Sequence, residues 1–80
     1  GGITIEHGLT EFNFDEAGVK RTMIERAREC IVVADHSKFG KVMLTTVASL
    51  TVVDRIITGT EIDGEMVTRL RQMGVEVALA

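Results

Sequence analysis

Asp35-His36-Ser37-Lys38 sets a carboxylate, an imidazole, a hydroxyl and an ammonium side by side, directly after the apolar run Ile31-Val32-Val33-Ala34. Such a cluster at a strand end suits an anionic, hydroxyl-rich metabolite. Ligands of open parallel sheets bind beyond the carboxyl ends of the strands, where loop amides and helix N-termini converge. In that reading Lys38 holds a point charge against a phosphate, and Ser37 and the loop amides through Gly40 donate hydrogen bonds. Asp35 accepts from a hydroxyl or orients Lys38. A solvated turn begun by Asp35, with Lys38 on the surface, accounts for the same residues from spacing alone.

The stretch Glu6-His7-Gly8-Leu9-Thr10 is a second candidate. Gly8 permits a tight turn with positive φ, and Thr10 offers a hydroxyl near the start of the first helix. His7 beside a glycine reads as a turn residue rather than an acid–base group. His7 and His36 would make a metal pair only if the fold added carboxylates, so no metal site is expected. Lys20 lies four residues after Glu16, which places them on one helix face as an ion pair worth a few tenths of a kcal/mol. A functional account would bring both to the rim of a ligand site. Cys30, beside an apolar strand, reads as a small packing residue. No Walker loop, dinucleotide fingerprint or Ser-His-Asp set is present, and no cofactor is expected.

Positioning these residues requires strands and helices in alternation. Gly1 to Thr10 reads as a loop with a short strand at Ile3 to Ile5. Asn13 can cap a helix running to about Arg28, with Glu16 completing a capping box. Its apolar stripe is Val19, Met23, Ala27 and Cys30. Ile31 to Ala34 is unbroken apolar and is expected to be a strand buried on both faces. Val42 to Thr46 is either a short strand or an irregular crossover. Arg55 to Thr58 is a second strand. Asp63 caps a second helix bearing Met66, Val67, Leu70 and Met73, and Gly74 stops it. Val75 to Leu79 is a third strand. This order argues for an α/β fold built on a parallel sheet. One face and one edge should stay open, to be covered by a preceding half-domain or a second copy.

The 80 residues show no internal linker, so residues 1–80 read as a single unit. Basic residues number 9 and acidic residues 12, a net charge of −3, and aromatics are 4% of the chain. Binding of nucleic acid through bulk charge or base stacking is therefore excluded as a working hypothesis. The single cysteine rules out an internal disulfide and points to the cytoplasm. No apolar run approaches the roughly 20 residues of a membrane span. The chain opens Gly1-Gly2 without Met, which leads to the expectation of a piece of a longer protein.

Three segments, Glu6 to Thr10, Val19-Lys20-Arg21-Thr22-Met23 and Ala34 to Gly40, together resemble the sensor domain of DeoR-type bacterial repressors. The likeness continues through Val53-Asp54-Arg55-Ile56-Ile57-Thr58 and Gly74-Val75-Glu76-Val77. The resemblance implies a partial three-layer domain similar to ribose-phosphate isomerases, here the C-terminal half of a sensor for a phosphorylated sugar. An N-terminal DNA-binding domain, absent from these residues, would contact operator DNA, and the protein would self-associate. Lys38 is then expected to face the effector, with Asp35 and Ser37 shaping its loop, Lys20 at the pocket mouth, and Gly8 and Thr10 contributing from the opening segment. Many relatives carry an Asp in the glycine-rich stretch before that segment, at a place that falls on or before Gly1. No enzymatic activity is expected. The alternative is a fragment of a sugar-phosphate isomerase with Glu16 as base and Lys38 as phosphate holder.

Overall fold

A computed structural model describes residues 1–80 as an α/β unit with two sheets rather than one. The elements in chain order are β1 (Gly2–Thr4), β2 (Gly8–Glu11), α1 (Phe14–Arg26), β3 (Ile31–Val33), β4 (Thr45–Ala48), β5 (Arg55–Thr58), α2 (Gly64–Gln72) and β6 (Glu76–Leu79). Single turns of 3-10 helix occupy His36–Lys38 and Leu50–Val52. The first sheet is antiparallel in the order β1-β2-β4, and the second is parallel in the order β3-β5-β6. The expected parallel sheet is thus present, but it is only half of the β structure. No helix is long and apolar enough to cross a membrane.

The first ten residues correct the expectation of a loop with one strand. They form a hairpin in which Gly2 pairs with Thr10 and Thr4 with Gly8. Gly8 has φ 70°, and a Cβ on it would lie 2.2 Å from the Ala48 carbonyl oxygen. Both the turn and the close approach of β4 therefore require glycine here. The ambiguous stretch 42–46 resolves as loop at 42–44 and as the first two residues of β4, which pairs with β2 across an irregularity between Leu9 and Thr10.

Asn13 caps α1 as expected, its Oδ1 accepting from the Asp15 and Glu16 amides at 2.8 and 3.2 Å. The reciprocal reach of Glu16 is not made. The buried face of α1 also differs from the expected stripe. Ala17 is fully buried, whereas Val19 and Met23 are more than half exposed. Polar ties fix this orientation: Arg21 donates to the Thr46 carbonyl and the Thr45 hydroxyl on β4.

The parallel sheet carries the core, in which Leu50, Ile56 and Leu70 are completely enclosed. α2 crosses between β5 and β6 and buries Val67 and Leu70, with Met66 half-buried and Met73 at the margin. Asp63 caps it and Gly74, at φ 87°, ends it. β3 departs from the expectation of a doubly buried strand. It is an edge: Val33 is 76% exposed and Ile31 nearly half exposed. Continuous apolar character arose here without a neighbour on the outer side. The two sheets join where Ile3 bridges Phe39, and the Gly40 amide donates to the Ile3 carbonyl at 2.8 Å.

Candidate functional site

A cavity of about 420 Å³ lies among α1, the β1–β2 hairpin and β3. Its walls are largely apolar, and five polar side chains reach it: Thr10, Glu11, Lys20, Asp35 and Lys38. This volume and this mixture of lining fit a small polar metabolite. Four of the six residues singled out from the sequence thus meet at one hollow, although they come from three separate segments. Gly8 and Ser37 do not line it. Gly8 shapes the hairpin, and Ser37 sits exposed on the turn after β3.

The turn itself is organised differently from the expectation. The Ser37 amide donates to Asp35 Oδ1 at 2.9 Å, and the Lys38, Phe39 and Gly40 amides donate to the Asp35, His36 and Ile3 carbonyls. These loop amides are spent within the protein and are not free to cradle an anion. What remains for a ligand of the cavity is the Lys38 ammonium, which forms no ion pair; the Ser37 hydroxyl is exposed on the turn beside it. Asp35 is held below the usual carboxylate range, first by the Ser37 amide and further by its neighbours His36 and Lys38. His36 stands with its Nδ1 2.9 Å from Asp35 Oδ1 and 3.7 Å from Glu61 Oε2.

Lys20 does not pair with Glu16. Its ammonium binds Glu11 Oε1, joining α1 to β2 beside the cavity that both residues line. Glu16 is exposed on the first turn of α1 and lies outside the cavity that Lys38 lines. The Glu11 side chain is only 10% exposed. Hydrogen bonding from Lys20 lowers its pKa, against the opposing effect of burial. Glu11 escaped the sequence reading because the opening segment was read as a loop. Once Gly8–Glu11 is a strand, with an irregularity after Leu9, the adjacent Thr10 and Glu11 are both buried and both border the cavity.

Thr10 is fixed rather than free. Its hydroxyl oxygen accepts from the Met43 amide at 2.8 Å and donates weakly to the Gly2 carbonyl at 3.4 Å. Cys30 also borders the cavity, with its thiol pKa raised by burial and by the Asp54 carboxylate. That environment suits packing rather than nucleophilic attack. No three His, Cys, Asp or Glu side chains converge as a metal site.

A family model described as the DeoR C-terminal sensor domain matches residues 1–60. The chain is 35% identical over 79 residues to the HTH-type transcriptional regulator IolR of Bacillus subtilis, covering 99% of this chain and 32% of that protein. It is 37% identical over 75 residues to the HTH-type transcriptional regulator GlpR of Haloferax volcanii, covering 94% of this chain and 29% of that protein. It is 39% identical over 57 residues to the glycerol-3-phosphate regulon repressor of Escherichia coli, covering 71% and 23% respectively. The chain therefore spans less than a third of the length of these relatives.

Proposed function

Because this chain belongs to the family of DeoR C-terminal sensor domains, we propose that it is the effector-binding part of a transcriptional regulator, and that its ligand is a phosphorylated sugar or a related hydroxyl-rich anion. The observation that carries this reading is the gathering of Lys38, Asp35, Lys20 and Thr10 around one cavity. Lys38 supplies the unpaired charge for the phosphate, Ser37 flanks it, and Gly8 acts at one remove by fixing the hairpin that carries Thr10. Binding would shift an equilibrium between arrangements of the whole regulator that do and do not hold operator DNA. DNA contact falls to a domain outside these residues, in keeping with the net charge of −3. Self-association, a cytoplasmic setting and a ribose-phosphate-isomerase-like three-layer sensor, of which this chain forms the C-terminal half, belong to the same proposal.

The isomerase alternative is less favoured. Its intended base, Glu16, lies outside the cavity. Glu11, the carboxylate beside Lys20, is made a weaker base by that partner. Calorimetric titration of the full-length protein against sugar phosphates tests the sensor reading. Lys38→Ala is expected to weaken binding by about 1.5–3 kcal/mol, the scale of one charge-assisted hydrogen bond. Unchanged affinity would remove Lys38 from the site.

A further inference from the structure

We propose that Glu11 reads a hydroxyl of the ligand, and that Lys20 is a positioning residue which holds the Glu11 carboxylate rather than a ligand of the phosphate. The inference rests on the effector-binding reading above and assigns a division of labour within that cavity.

A carboxylate as enclosed as Glu11 is costly unless its oxygens are satisfied. Lys20 satisfies Oε1. Among the side-chain hydrogen bonds, none reaches Oε2. Oε2 is nevertheless not sealed in, since the buried polar side-chain atoms lacking a partner are Arg55 Nε and Thr58 Oγ1. Glu11 therefore turns one satisfied and one available acceptor toward the cavity it lines. An ionised carboxylate only accepts hydrogen bonds, so it repels phosphate and welcomes hydroxyl donors.

Lys20 is the complement of this. With its ammonium neutralised by Glu11, it presents an approaching anion with an ion pair, not a free cation. Lys38, on the connection after β3, has no such partner and keeps its charge for the phosphate. The cavity thus has a free cation contributed by the parallel-sheet side and a hydroxyl acceptor contributed by the antiparallel-sheet side. A molecule carrying both a phosphate and hydroxyls satisfies both. Inorganic phosphate satisfies only the first.

The test is calorimetric titration of the full-length protein with glycerol 3-phosphate, ribose 5-phosphate, fructose 6-phosphate and inorganic phosphate. The wild type should prefer at least one hydroxylated compound over inorganic phosphate. Glu11→Gln should reduce that preference by about tenfold to a hundredfold, the value of a hydrogen bond to a charged group. Lys20→Met, at a side chain that is 49% exposed, should reduce it in the same direction in a protein whose cooperative unfolding shows that it still folds. Lys20→Met should also move the acid limb of the affinity–pH profile upward, because Glu11 then titrates closer to its ordinary value. If Glu11→Gln keeps the full preference, or if Lys20→Met weakens inorganic phosphate as strongly as Lys38→Ala does, this assignment is overturned while the sensor reading stands. If the wild type binds inorganic phosphate alone, the hydroxyl-reading role fails. If it binds none of the four, the effector reading fails with it.

Discussion

Hydrogen bonding from Lys20 depresses the Glu11 pKa below its ordinary 4.5, and folding stability inherits that shift. A carboxyl with a lowered folded-state pKa contributes stability that is present above its unfolded value and lost as pH falls through the folded one. Unfolding measured against pH should therefore show a loss of stability below about pH 4.5. Lys20→Met should flatten that acid limb, and coincident profiles would show that Lys20 does not set it. At Gly8, the left-handed backbone and the nearby Ala48 carbonyl both oppose a side chain. Gly8→Ala is expected to cost about 1–3 kcal/mol in denaturant unfolding. A near-neutral result would mean that the hairpin relaxes around it. At this scale Lys38 and Asp35 were legible as candidates that border the cavity, because a polar run after an apolar one marks a strand end, although a solvated turn accounted for the same pattern. Lys20 entered through resemblance. Glu11 was illegible because its partner lies on another element, and local spacing offered Glu16 in its place.

The two helices show why some elements could be read and others could not. α2 has a cap, a stop glycine and an apolar face that agree, and the structure uses all three. α1 has its cap, but Val19 and Met23 of its expected stripe are more than half exposed, Met23 bordering the cavity, while Ala17 and Arg21 meet the sheet. Periodicity identified a helix and mistook its orientation, since ties from Arg21 and Lys20 to the first sheet decide it. The same contrast sets the expected energetics. Leu70→Ala should destabilise the chain by roughly 2–5 kcal/mol, because it empties a fully enclosed site. Val19→Ala should change stability by no more than about 0.5 kcal/mol. Equal effects at the two positions would contradict the burial described. β3 was legible as a strand but not as an edge, because an apolar run records what a strand can bury and not whether a neighbour is there.

For the molecule as a whole, alternating helices and strands led to an α/β fold, and that part holds. The antiparallel sheet was hidden in segments too short and too glycine-rich to show a period of two. The parallel sheet has β5 at its centre, bonded on both sides. On either side of β3 the Cys30 carbonyl and the Ala34 amide face β5, so by alternation the backbone groups of Ile31 and Val33 face the open edge. Amide hydrogen exchange should then be slowest at β5 and faster at Ile31 and Val33. Uniform protection across β3 would show that its outer edge is covered in solution.

The bridge from Ile3 to Phe39 also orders events in time. A hairpin such as β1–β2 closes over a few residues, typically within about 1–10 μs. The parallel pairing of β3 with β5 and β6 must wait for distant segments to find one another. Ile3 belongs to the quick hairpin by its strand and to the slow sheet by its side chain in the core. It is therefore expected to be the seam where an early product of folding is fastened to a late one, with the two halves of the cavity coming into register last.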